Sequence, residues 1–231
     1  MSDIKITIDG KEIKAKSGQT IVEAAKENGI YIPVLCHFEG LKPAGTCRIC
    51  TVKINGRPMA ACTTPVSEGM VIENQTAELE DFRKAIVEML FVEGNHMCPT
   101  CEKSGNCELQ ALGYRYRMMV PRFPYMFPVC SVDAKTPKIY LDKNRCVQCL
   151  RCVRGVRKDG KAVFGLVNRG NHTAIEIDHD LAAKLSDEEA AQAMDMCPVG
   201  AILKKETGYR DPIGRRKFDS APIGSDIEKR A

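Results

Sequence analysis

Ile4, Ile6 and Ile8 alternate with Lys5 and Thr7, a period of two that predicts a half-buried β-strand. Asp9-Gly10 follows and predicts a tight turn into a second strand. Thr20-Ile21-Val22-Glu23 has the form of a capping box, and Gly29 supplies the stop of the short helix it opens. Thr51 to Ile54 reads as another strand, with a turn at Asn55-Gly56. These signals predict a small sheet wrapping one helix, beside a long loop. From Glu78 to Val92, Leu79, Phe82, Ile86, Met89 and Leu90 fall at helical spacing, which predicts a helix that packs these side chains into a core. Pro121, Pro124 and Pro128 then mark a linker. Ser186-Asp187-Glu188-Glu189 is a second capping box, so a helix runs towards Cys197. Glu206 to Ala231 is polar and repeatedly broken by Gly and Pro; it reads as an arm lying on a partner or as a disordered end. No repeat of fixed period is visible. The mixture of local signals predicts an α+β fold.

Composition sharpens this picture through one residue type. The 231 residues include 12 cysteines and no tryptophan. With 28% charged and 44% hydrophobic residues, the chain is neither disordered nor collagen-like. The run from Ala85 to Val92 is short and interrupted by Glu88, whereas a spanning helix needs ~20 apolar residues. No secretory signal opens the sequence, and the Arg215-Arg216 pair lies at the wrong end for a twin-arginine signal. A cytoplasmic location is expected, where clustered cysteines read as metal ligands rather than disulfides. The net charge of +4 argues for neither nucleic acid nor a membrane as partner.

The cysteines form three groups. Cys36, Cys47, Cys50 and Cys62 make the first, Cys98, Cys101 and Cys107 the second, and Cys146, Cys149, Cys152 and Cys197 the third, leaving Cys130 alone. In the third, three cysteines at intervals of three reach three corners of one cubane, and a remote Cys followed by Pro198 supplies the fourth. The position that would carry a further local cysteine for a second cluster is Val156, so one 4Fe–4S cluster accounts for every ligand. Seven basic residues lie between Lys143 and Lys161 (positions 143, 145, 151, 154, 157, 158 and 161) against the single acid Asp159. Positive charge of this kind stabilises an anionic cluster; a solvated basic face is the competing reading. The first group keeps the C-x2-C pair of plant-type 2Fe–2S sites but widens the gap before it to ten residues. His37, next to Cys36, is expected to be a packing residue. The second group has three cysteines for a cubane, and His96 is the nearest fourth donor. For the third group zinc is the alternative, although three cysteines at intervals of three fit tetrahedral zinc poorly. Cys130 is expected to be a small buried residue.

The order of the three sites resembles the N-terminal electron-transfer region of the large iron–sulfur subunit of respiratory complex I. The resemblance rests on Pro33-Val34-Leu35-Cys36, Thr46-Cys47-Arg48-Ile49-Cys50, the stretch from Cys98 to Gln110, and Cys146 to Cys152 with Cys197-Pro198-Val199-Gly200-Ala201. The same module opens iron-only hydrogenases and NAD-linked formate dehydrogenases. At this length, with the tail Gly208-Tyr209-Arg210-Asp211-Pro212-Ile213-Gly214, the chain most resembles the small diaphorase subunit family of cytoplasmic NAD-reducing nickel–iron hydrogenases. It leaves no room for a molybdopterin or hydrogen-activating domain. The resemblance implies a β-grasp, ferredoxin-like 2Fe–2S domain over residues 1–77 and a short helical His/Cys3 domain over 78–120. It implies a bacterial-ferredoxin-like 4Fe–4S domain over 121–205 and an extended partner-docking tail over 206–231. One 2Fe–2S cluster on Cys36, Cys47, Cys50 and Cys62 is implied. Two 4Fe–4S clusters follow, on His96, Cys98, Cys101 and Cys107 and on Cys146, Cys149, Cys152 and Cys197. In the complex I relatives the ligating histidine lies four residues before the first cysteine of the middle group; here that position is Gly94.

The function implied is a molecular wire in a hetero-oligomer. It would relay single electrons between the small subunit of a nickel–iron hydrogenase and a flavin- and NAD-binding diaphorase subunit. No G-x-G-x-x-G fingerprint or P-loop is present, so nucleotide and flavin are expected on partners, and no catalytic residue is expected on this chain. The same wire in a formate dehydrogenase or complex I assembly is the nearest alternative. A zinc-bound structural scaffold is the alternative of another class.

Overall fold

The computed structural model describes residues 3–229. Strand β1 (Asp3–Ile8) turns at Asp9-Gly10 into β2 (Lys11–Lys16). Ile6 pairs with Ile13 and Ile4 with Ala15, which puts the alternating apolar set on one face. Helix α1 (Ile21–Glu27) opens at the Thr20–Glu23 capping box, with the Thr20 backbone N–H donating to Glu23 Oε2 at 2.7 Å. It buries Ile21, Ala24 and Ala25 against that face. A long loop leads to β3 (Thr51–Ile54), β4 (Arg57–Ala60) and β5 (Val71–Glu73). The strand order is β2-β1-β5-β3-β4, with β1 and β5 parallel and the other neighbours antiparallel.

Helix α2 (Ala77–Val92) starts at the Thr76 cap. Leu79 and Ile86 are buried as the periodicity predicts, but Phe82 and Met89 are exposed. Their place in the interior is taken by charge. Arg83 is buried and donates to the carbonyls of Asn74 and Thr51 at 2.9 Å each. Glu88 is fully buried and pairs with Arg122 at 2.7 Å. The proline-rich passage is therefore a strap as much as a linker. Arg122 also holds Asp81 at 2.8 Å, and the Met126 N–H donates to the Val92 carbonyl at 3.0 Å. Its other side chains, among them Met119, Val120, Met126, Phe127 and Val129, face outwards.

Helix α3 (Glu108–Arg115) packs on α2. Beyond the strap, β6 (Val132–Asp133) and β7 (Ile139–Asp142) precede the short helix α4 (Arg151–Gly155). Two hairpin-like pairs follow, β8 (Arg157–Lys158) with β9 (Lys161–Ala162) and β10 (Phe164–Val167) with β11 (Ala174–Ile177). Helices α5 (His179–Ala183) and α6 (Asp187–Met196) and strand β12 (Ile202–Lys204) complete the unit, and β7 is the middle strand between β12 and β6. The Ser186 capping box of α6 is present, as expected.

Two apolar cores result. One fills the sheet and α1 around Ile8, Ile21, Val52 and Ile72. The other joins Val87, Phe91 and Leu112 to Leu141, Phe164, Ala193 and Ile202, and it also takes in Leu35 and Ile49 from the first cysteine loop. The first loop is thus docked on the second core, which fixes the cysteine sets relative to one another.

The described part of the tail, 206–229, lies on this chain. Tyr209 Oη donates to the Thr100 carbonyl at 3.2 Å, and the Phe218 N–H to the Gly105 carbonyl at 2.9 Å. The Asn106 amide holds Asp211 at 2.7 Å. The segment ends in helix α7 (Ser225–Glu228), where Arg115, stacked 4.4 Å over the Tyr31 ring, pairs with Glu228 at 2.5 Å.

Candidate iron–sulfur sites

The first four cysteines converge from the loop before β3 and from the end of β4. Cys50, Cys62 and Cys36 are buried and Cys47 is half-buried. The Cys36 thiol lies in hydrogen-bond contact with those of Cys47 and Cys62, and Cys50 with Cys62. The Cys36 N–H also donates to Cys47 Sγ at 3.4 Å. Neighbouring thiols hold Cys36 and Cys50 below the ordinary thiol range, while the same contacts push Cys47 and Cys62 above it. Such a set gives up some protons readily and binds others until a cation replaces them. Arg48, inside the C-x2-C turn, has φ of 60°, the left-handed bend that turns both sulfurs inwards.

The second group lines a pocket between α2, α3 and the Cys197 loop, in which His96, Cys98, Cys101 and Cys107 stand with Arg145 and Gly200. Burial pushes the Cys107 thiol up to about 12 and raises Cys98 as well. The His96 ring meets Phe91 edge-on at 5.3 Å between centroids. Its Nε2 is buried without a partner, and burial lowers its proton affinity. A buried ring with a bare nitrogen, lining the same pocket as three thiols, suits a metal-ligating imidazole. Gly94 explains why the histidine stands at 96. A Cβ on residue 94 would lie 2.7 Å from His96 Nε2 and 2.8 Å from the Asn144 carbonyl. The imidazole therefore fills the space that a side chain at 94 would take. Gly200 is a second cradle, since a Cβ there would lie 2.5 Å from Cys101 Sγ.

The third group lines a pocket whose other walls are apolar, including Leu141, Val147, Ile175, Val199 and Ile202. Gln148 and Leu150 are both left-handed, with φ of 48° and 60°, which coils the C-x2-C-x2-C stretch around its three sulfurs. Cys197 arrives as the C-cap of α6. Burial pushes Cys146 up to about 11 and Cys149 up to about 12, and raises Cys152 too. The structure thus brings together all four predicted residues at each of the three positions. Sulfur donors lining mainly apolar pockets, with one imidazole at the middle one, fit iron–sulfur clusters.

Two predicted features behave differently from expectation. Cys130 is half-buried rather than buried, and lies close enough to Cys146 to raise its thiol slightly. The basic run is largely neutralised by acids, most of them distant in sequence: Lys143 by Glu176, Arg145 by Asp142, Arg151 by Glu108 and Lys158 by Glu189. Arg154 instead donates only to backbone carbonyls. His37 is half-buried with Nδ1 unpartnered, and burial lowers its proton affinity. Lys103, which carries no sequence signal of its own, is buried beside the second and third groups; its Nζ donates to the Met194 carbonyl at 2.6 Å.

Comparison with known proteins agrees with this layout. Residues 2–77 match the model of a 2Fe-2S iron-sulfur cluster binding domain. Residues 83–122 match the NADH-ubiquinone oxidoreductase-G iron-sulfur binding region, and 136–203 the ferredoxin-like domain of NADH-quinone oxidoreductase subunit 3. The chain is 52% identical over 218 residues to the gamma subunit of the NAD-reducing hydrogenase HoxS of Cupriavidus necator, covering 94% of this chain and 93% of that one. It is 32% identical over 215 residues to the mitochondrial NADH-ubiquinone oxidoreductase 78 kDa subunit of Candida albicans, covering 91% of this chain and spanning 30% of that protein. Among solved structures, a chain of an NAD+-reducing [NiFe]-hydrogenase in the H2-reduced state superposes with a TM-score of 0.89 at 38% identity, covering 96% of this chain and 95% of that one.

Proposed function

Because the chain belongs to the family of the gamma subunit of NAD-reducing hydrogenases, we propose that it is the electron-transfer subunit of such an enzyme. It would carry electrons between a nickel–iron hydrogenase small subunit and a flavin- and NAD-binding diaphorase subunit, in the cytoplasm, so that H2 + NAD+ gives NADH + H+. Cys36, Cys47, Cys50 and Cys62 would hold one 2Fe–2S cluster. His96, Cys98, Cys101 and Cys107 would hold one 4Fe–4S cluster, and Cys146, Cys149, Cys152 and Cys197 the other. Each cluster, when bound, takes up and releases one electron. The chain's own residues hold the thiolates, exclude water and fix the spacing.

The observation that carries this reading is the gathering of all twelve donors into three four-donor sets, two of them lining pockets. The third pocket is lined by apolar residues beside its cysteines, and the buried Lys103, 4.0 Å from Asp195, would add positive charge beside an anionic cluster. Among the described residues, no helix is long and apolar enough to cross a membrane.

The test is metal and sulfide analysis of the chain purified without oxygen, with EPR of the reduced sample. Roughly ten irons and ten sulfides per chain are expected from the cluster formulae, and His96→Ala should remove four of each. Two or three zincs without sulfide would make the protein a structural scaffold. Nickel in the co-purified complex is expected; molybdenum would transfer the wire to a formate dehydrogenase.

A further inference from the structure

Arg154 sits on α4 two residues after Cys152, and its guanidinium makes an unusual set of bonds. Nη2 donates to the Cys36 carbonyl at 2.6 Å and to the Cys149 carbonyl at 3.3 Å. Nη1 donates to the Lys42 carbonyl at 2.6 Å, and Nε to the Leu150 carbonyl at 3.1 Å. Cys36 belongs to the first set and Cys149 to the third. One side chain therefore ties the backbone of one set to the backbone of another, 118 residues apart at Cys36. Lys42 belongs to the same loop as Cys36. Among the described residues, no carboxylate pairs with this guanidinium.

The seam it crosses is tightly packed. A Cβ on Gly155 would lie 2.5 Å from Met196 Sδ and 3.0 Å from Leu41 Cδ1, so the loop comes as close to α4 as a missing side chain permits. Leu35 and Ile49 press into the second core beside it. Apolar packing brings the loop to the helix without direction. The planar fork of an arginine adds direction, because its donors have fixed angles to one another. Lysine offers a point charge in its place.

We propose that Arg154 is a positioning residue that fixes the separation between the first and third sites and supplies an uncompensated positive charge between them. This rests on the reading of the two cysteine sets as cluster ligands. Electron transfer between two sites depends on how closely and how uniformly they are held, so a bond to one ligand residue of each is the direct means of setting it. The charge favours the reduced, more negative state of a neighbouring cluster and so raises its potential.

The test compares Arg154→Met and Arg154→Lys with the wild-type full chain, all purified without oxygen. Iron and sulfide are counted first. Dithionite-reduced samples are then measured by EPR for the magnetic interaction between the 2Fe–2S signal and its 4Fe–4S neighbour, and the 2Fe–2S cluster is titrated against potential. Arg154→Met keeps the wild-type iron count, weakens and broadens the interaction, and lowers the ratio of reduced to oxidised 2Fe–2S cluster about tenfold at a fixed potential, a shift of ~59 mV for a one-electron couple. Arg154→Lys keeps the potential but broadens the interaction. If Arg154→Met fails to assemble, Arg154→Lys decides alone: a wild-type interaction in it overturns the proposal. Full clusters with wild-type interaction and potential in both variants overturn it and leave the wire intact. Wild-type protein with zinc and no sulfide overturns both readings.

Discussion

Replacing Glu108 by Ala should destabilise the seam between α3 and the Cys197 loop. Glu108 is the first residue of α3, and its N–H donates to the Pro198 carbonyl at 2.8 Å. Its carboxylate grips Arg151 with both oxygens, at 2.8 Å and 2.6 Å. Arg151 is only 2% exposed and lies 5.4 Å over the Phe38 ring. With the carboxylate gone, Arg151 keeps one long bond to the Met196 carbonyl at 3.4 Å, and its Nε is already without a partner. Taking away the one carboxylate that pairs a buried charge costs ~3–5 kcal/mol, at the low end where an anionic cluster on Cys149 and Cys197 stands nearby. For a chain of this size each kcal/mol lowers Tm by about 2–4 °C, so a loss of roughly 6–20 °C is expected. The assay is thermal unfolding without oxygen at one scan rate, followed by far-UV circular dichroism and by visible absorption. The double variant Glu108→Leu/Arg151→Met removes both charges and should be much milder than Glu108→Ala, because a buried pair can be exchanged for apolar groups at little cost. If Glu108→Ala unfolds within about 2 °C of wild type, the pair contributes less than one kcal/mol on that scale and the expected penalty is wrong. A double variant whose loss is the sum of the two single losses would equally show that the two charges are not coupled.

Gly200→Ala places a Cβ 2.5 Å from Cys101 Sγ; it should lower the iron count from roughly ten to roughly six by the cluster formulae, while the other two EPR signals persist. Thr20→Ala removes the cap of α1 and should cost ~1 kcal/mol in thermal or denaturant unfolding with the cluster content unchanged. The bond from Arg216, with the Arg216 and Gly214 N–H groups, holds the Asp219 carboxyl down to about 2. A depressed carboxylate contributes stability that is fully present above its ordinary value near 3.8 and is lost as pH falls through about 2; limited proteolysis of the tail should be flat from neutral pH to about 4, whereas Asp219→Asn should open it at neutral pH.

Local signals were legible in the sequence and non-local ones were not. The Thr20 and Ser186 capping boxes and the β1 alternation involve residues within a few positions, and each forms as the pattern requires. The C-x2-C spacings were legible because they are local, whereas Cys197 comes to the third group from 45 residues beyond Cys152. Helix α2 shows the limit. Its period placed Phe82 and Met89 with Leu79 and Ile86, but the buried face is decided by Arg83 and Glu88, whose partners come from 74 and 122. Arg151 and Arg154 were visible as positive charge, yet their partners, Glu108 and Cys36, lie 43 and 118 residues away. Gly94 read as a missing histidine; only the packing shows it as the space into which the His96 ring turns.

The way the tail closes over the middle loop sets a sequence of events during biosynthesis. Arg216 lies against Gly105, and Phe218 and Lys217 are bonded to Gly105 and Asn106, directly between Cys101 and Cys107. Every residue that frames the middle cavity precedes position 206, whereas its cover comes later in the chain. At ~5–20 residues per second the ribosome leaves that loop uncovered for some seconds before its cover exists. If a cluster is bound at that loop, iron and sulfide would enter it unobstructed in that interval, and the tail would then close over it as a latch. A nascent chain stalled before residue 206 would present this loop open to the assembly machinery, while a chain released without metal would have to lift its own latch to be repaired.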